Sequence, residues 1–313
     1  MQKNQSNYLT YGSMMIALFA ILLAISIYIP IISVITVFIV PLPIAWYSAK
    51  FDRRQAILVT VLSIVISYLI GGIIGLLAGL IAAPIGLIIG HSIQQQKSKL
   101  HILMSTGIFL LIMAALQYIV SILVLNMNVI ENLLEGLEIS YKQAGSIMSS
   151  VGQLPEDYDE RVSQALLLFR STLPSYFIGA MFITALVYVV INFSVLKKLK
   201  LEVPKFSKFM DFRLPKVVLW YYLIVSIFTL FVTFEVGTFG YLLFVNALLI
   251  LRVLLFLQGI SLIHYYFYVQ GWPKWSAIFA TILAIPLFTF TIILGVLDLG
   301  FNLRAFLKDR YKK

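Results

Sequence analysis

Few of the side chains able to do chemistry stand in a pattern that chemistry requires. The three histidines, His91, His101 and His264, show none of the short fixed spacings of a metal site. With no cysteine in the chain there is neither thiolate chemistry nor a disulfide framework. No nucleophile stands beside a base, so no catalytic residue, metal or cofactor is expected and the chain reads as a non-enzyme. What remains are isolated polar groups in apolar surroundings. Arg252 interrupts NALLILRVLLFLQG, residues 246–259, and a charge within hydrocarbon costs about 2.5–3.5 kcal/mol on insertion scales, so it needs a partner. Asp298 is the favoured counter-ion, with lipid headgroups reached by snorkelling as the alternative. Glu235 is a weaker candidate, since Arg252 lies about 18 Å along a helix beyond the intervening turn. Gln117, Asn126 and Tyr176 are the polar residues expected near a ligand pocket on the outer side. Each is equally readable as an ordinary interhelical hydrogen-bonding group.

The elements that must position these residues are membrane helices. Of 313 residues, 61% are hydrophobic and 12% charged, far from the balance of soluble domains. Several runs reach the roughly 20 apolar residues that cross a bilayer as a helix, without the alternation of a membrane barrel. The expected fold is all-α, a polytopic helical bundle with about eight transmembrane helices. The opening segment is too long in its apolar part for a secretory signal, and residues 9–29 and 31–49 read as a hairpin turning at Pro30. Residues 56–90 suffice for two helices, turning at the glycines of SYLIGGIIGLLAG, and 102–125 and 174–196 supply two more. Between them, residues 126–173 carry seven acids (Glu131, Glu135, Glu138, Glu156, Asp157, Asp159, Glu160) against three bases. Ile130, Leu133, Leu134 and Leu137 recur there at helical spacing, predicting an amphipathic helix with a solvated acidic face. Pro155 and the following acids open another helix.

Seven Lys and Arg residues between 197 and 216 give the strongest inside signal. The expected organisation is therefore a six-helix unit over 1–196 with 126–173 external, a basic cytoplasmic loop over 197–216, and C-terminal helices with a basic tail over 217–313. Both termini are expected in the cytoplasm. The net charge of +10 then reflects loop orientation rather than a nucleic-acid partner. Three apparent helices, 217–236, 240–268 and 275–297, lie between two basic ends, an odd number where an even one is required. The run 240–268, with Arg252, Gln258, Gly259 and His264, is the expected site of a break; an interfacial segment over IHYYFYVQGWPKW is the alternative. Gly71, Gly75 and Gly79, and likewise Gly86 and Gly90, repeat every four residues and read as helix-packing seams. Ala17, Ala20 and Ala24 make a further small-residue stripe, suited to packing or to docking a membrane partner.

PLPIAWYSAKFDRRQAI (41–57), LRVLLFLQGISLIHYY (251–266) and LGVLDLGFNLRAF (294–306) together resemble the YybS-like family of uncharacterised bacterial membrane proteins. The N-terminal part of that family is similar to the substrate-binding S components of energy-coupling factor transporters. That resemblance implies a multi-pass bacterial cell-membrane protein that binds a small molecule from outside and docks coupling and ATPase subunits through an AxxxA face. Ala20 and Ala24 match that spacing. A different class of function is a non-transporting scaffold or regulator, meeting anionic lipid or a cytoplasmic partner through the basic loop and tail.

Overall fold

The computed structural model describes residues 2–124, 126–204 and 208–310; Lys205 of the basic loop and residues 311–313 of the tail lie outside the described residues. Helices form throughout and no strand occurs among the described residues. The chain divides into two compact units, Met1–Val129 with Ile178–Phe206, and Ile130–Phe177 with Ser207–Lys313. The expected division at 196 and 217 is thus not followed, because the acidic segment groups with the C-terminal helices.

In the first unit α1 (Gln2–Tyr28) buries Gly12, Met15, Phe19 and Leu23, a stripe at helical spacing. The expected single helix over 31–49 is instead two short ones, α2 (Pro30–Thr36) and α3 (Leu42–Lys50). Pro41 and Pro43, on either side of Leu42, remove two donors that a continuous helix would need. The turn leaves the Phe38 carbonyl without its helical partner, and fully buried Asn192 donates to it from Nδ2 at 3.0 Å. Asn192→Leu is therefore expected to destabilise the first unit by about 1–3 kcal/mol through an unmet buried carbonyl. Thermal melting of the purified protein in detergent checks this, and an unchanged midpoint would rule out the anchoring role.

α4 (Arg53–Gln94) folds back on itself where Gly71 leaves helical geometry and Gly72 takes φ +57°. A Cβ at Gly75 would lie 2.1 Å from the Ser67 carbonyl oxygen, and one at Gly79 2.2 Å from Ser67 Oγ. In a straight helix those pairs would be about 12 and 18 Å apart, so two antiparallel arms pack through the glycines. Gly86 and Gly90 make the second seam, since a Cβ there would meet the Pro41 and Ala45 carbonyl oxygens of the neighbouring segment at 2.5 and 2.2 Å. α5 (Lys99–Leu123) begins at Ser98, whose hydroxyl caps the His101 N–H. The helices that follow, α6 (Val129–Ser150) and α7 (Tyr158–Lys198), flank the acidic loop.

The second unit holds α6, the part of α7 up to Phe177, a 3₁₀ turn (Phe209–Asp211), α8 (Val217–Phe231), α9 (Phe239–Val269), α10 (Lys274–Ala284), α11 (Phe288–Phe301) and α12 (Leu303–Arg310). The expected break within 240–268 is absent, because α9 is continuous. The break lies instead around Pro286, where α10 and α11 meet at a bend of 113°. Gln258 and His264 do not need a break to be satisfied. Gln258 bonds the Leu214 N–H and Asp298, and His264 lies 2.7 Å from Thr281 Oγ1. Among the described residues five helices are long and apolar enough to cross a membrane, or six if the bent pair counts as one span.

Candidate functional site

A concave feature of the second unit lies between α6 and the start of α7. Tyr158 sets their spacing: its hydroxyl donates to the Tyr141 carbonyl at 2.8 Å, and its ring covers Gly145, where a Cβ would come within 2.8 Å. Ile130, Leu134 and Leu137 are half-buried, Leu134 at the cleft wall, while Val129, Leu133 and Ile147 are exposed. The helices leave a cleft of about 520 Å³ lined by Glu131, Glu135, Glu138 and Asp159, by Lys142 and Arg170, and by both tyrosines.

Its charges are partly compensated. Arg170 Nη2 lies 3.2 Å from Glu131 Oε2, and Lys142 Nζ 2.7 Å from Glu138 Oε1. The hydrogen bond to Glu138, then that carboxylate's charge, raises the Lys142 ammonium above its ordinary range, so it stays protonated at neutral pH. Glu135 and Asp159 have no ion pair among the described residues. Four carboxylates against two cations leave the lining with a surplus of two negative charges.

The same unit also holds a buried polar cluster. Asp298 is fully buried and Arg304 is only 8% exposed, with Arg304 Nε 2.9 Å from Asp298 Oδ2. Gln258 Nε2 donates to the same oxygen. The guanidinium also donates to the Met210 and Phe212 carbonyls at 2.7 and 3.0 Å and to Ser261 Oγ at 3.1 Å. Ser261 in turn donates to the Phe209 and Phe212 carbonyls. The basic loop from Phe209 to Leu214 is therefore fixed onto α9 and α12 rather than hanging free.

The expected pairing of Arg252 with Asp298 is corrected: the counter-ion of Asp298 is Arg304, while Arg252 is exposed and has no ion pair or hydrogen bond among the described residues. Gln117 is half-buried and Asn126 exposed at φ 51°, both in the first unit; Tyr176, 53% exposed and stacked on Phe169, belongs to the second. None of the three lines the cleft. Ala20 and Ala24 are half-buried beside exposed Ala17. Among the described residues no group of three or more His, Asp or Glu side chains is placed to hold a metal ion.

No solved structure matches the chain significantly. Over 312 residues, 96% of this chain and 98% of the relative, it is 28% identical to the protein described as "Uncharacterized protein YybS" of Bacillus subtilis (strain 168). The sequence profile described as "Predicted membrane protein (DUF2232)" matches residues 17–299, nearly the whole helical array. The chain belongs to that DUF2232 family of multi-pass membrane proteins.

Proposed function

We propose that the protein is a non-enzymatic component of a transport system in the bacterial cell membrane, one that captures a small organic cation in the α6–α7 cleft. The observation that carries this reading is the cleft itself: two surplus carboxylate charges in a concave site with Tyr141 and Tyr158 at its wall. Carboxylates and aromatic faces together favour an ammonium group with an apolar body. In this reading the cleft faces outward, the basic loop and both termini face the cytoplasm, and Ala20 and Ala24 dock coupling and ATPase subunits. The geometry of the second unit supports one side for loop and tail, since Arg304 of α12 bonds Met210 and Phe212.

Native mass spectrometry of the purified chain is expected to show a retained cationic small molecule, and choline serves as the probe in titration. Glu135→Gln with Asp159→Asn is expected to weaken choline binding about tenfold, the sum of two partly exposed charge contacts. Binding unchanged by the pair would overturn the site. Recovery of coupling and ATPase subunits, lost on replacing both Ala20 and Ala24 by Leu, tests the docking face. The second reading, a scaffold acting through the basic loop, draws on the ordering of that loop by Arg304; it predicts no such subunits and binding to anionic vesicles instead.

A further inference from the structure

Pro174 stands inside α7, where it offers no N–H to the preceding turn. The neighbouring groups are served from outside the helix. Ser175 N donates to Asn246 Oδ1 at 2.9 Å, and Asn246 Nδ2 donates to the Ser171 carbonyl at 2.8 Å. The carboxamide of Asn246 thus bridges the two groups that a regular helix would join directly. Ser175 Oγ adds bonds to Asn246 Oδ1 at 2.6 Å and to the Asn246 carbonyl at 3.1 Å. Ser171 and Ser175 are 5% and 6% exposed, so these bonds have little competition from water.

One residue before this bridge is Arg170, which lines the cleft and pairs with Glu131. We propose that Asn246 is a latch that regulates the cleft. While Arg170 is held by Glu131, the turn carrying Ser171 stays seated on Asn246. A cation that takes the Glu131 carboxylate frees Arg170, and α7 then pivots at Pro174 away from α9. The assignment of the cleft as a cation site underlies the coupling, whereas the latch stands on the hydrogen bonds alone. A side chain that fills a proline break can be displaced as a unit, because the helix on either side of the break keeps its own hydrogen bonds whether or not the bridge is made.

The full chain has no cysteine, so spin labels at Gln164→Cys and Val253→Cys report the distance between α7 and α9 within the second unit. Double electron–electron resonance in lipid nanodiscs, without ligand, is expected to give one narrow distance. Asn246→Leu shifts and broadens it, and Ser175→Ala, which removes only hydroxyl bonds, does so in part; this milder variant serves where Asn246→Leu fails to accumulate. In a Pro174→Ala background the restored 174 N–H can bond the Arg170 carbonyl and the helix can straighten so that Ser175 N–H reaches the Ser171 carbonyl directly, and Asn246→Leu then has no further effect. An unchanged distance in both variants, or equal broadening by Asn246→Leu whether Pro174 is kept or replaced, overturns the latch. Arg170→Gln is expected to shift the distance in the same direction as Asn246→Leu, and no shift overturns the coupling to the cleft. Failure of choline binding with these distance changes intact would sink the cation reading alone and leave the latch standing.

Discussion

Asp298→Ala is expected to destabilise the second unit by about 3–5 kcal/mol, the cost of leaving a buried guanidinium without its counter-ion. Arg304 would keep its bonds to the Met210 and Phe212 carbonyls and to Ser261, all neutral acceptors that leave the charge uncompensated. Gln258 would lose the acceptor for its Nε2, and with it the orientation that presents Oε1 to the Leu214 N–H. The effect should appear as a lower melting midpoint in detergent and as protease cleavage within residues 208–216. Asp298→Leu combined with Arg304→Met should recover much of the loss, because the second oxygen of Asp298 has no partner in the native cluster and the pair itself adds little net stability. Melting of Asp298→Ala within a degree of the native protein would refute the counter-ion role.

The same cluster shows where sequence reasoning stops. Asp298 and Arg304 are six residues apart, a spacing that places side chains on different faces of a continuous helix. They meet because Asn302 takes a left-handed conformation, φ 52°, and turns the chain between α11 and α12. The segment LGFNLR carries that signal, but nothing in it says which charge folds back on which. Arg252, a charge in an apolar run, is the arginine for which the sequence predicts an internal partner. It is exposed on α9 with no protein partner among the described residues, and the buried arginine is instead the one in the polar tail, Arg304.

Periodic features were far more legible. The all-helical membrane class follows from composition, the fold-back at Gly71–Gly72 from an apolar run over 56–90 too long for one helix, and the Gly86 and Gly90 seam from four-residue spacing. The amphipathic helix over the acidic segment was also visible, since apolar and acidic positions separate on its wheel. The cleft that this segment shapes was not, because it depends on Tyr158 meeting Tyr141 and Gly145 across a loop. The role of Asn246 is illegible in the sequence for a similar reason. A proline inside an apolar run announces a break, but the residue that fills it sits 71 positions away from Ser175.

Gly259 and Gly295 carry the second large effect, and they too are pairwise features that no single-helix spacing reveals. A Cβ at Gly259 would lie 2.0 Å from the Thr291 carbonyl oxygen, and one at Gly295 2.1 Å from that of Leu255. These are backbone atoms, unable to rotate away, so α9 and α11 must separate to admit even a methyl group. Leu255, Ile292 and Leu299 form the buried contact that such a separation would open. Gly295→Ala is accordingly expected to cost about 3 kcal/mol despite the better helix propensity of alanine. Gly300, on the same helix, is the internal control: its nearest neighbour would be Leu219 Cδ2 at 3.7 Å, an ordinary contact. Gly300→Ala should therefore be neutral or stabilising by up to about 1 kcal/mol. Melting midpoints of the two variants should move in opposite directions or differ widely, and equal shifts would mean that α9 and α11 do not cross through these glycines.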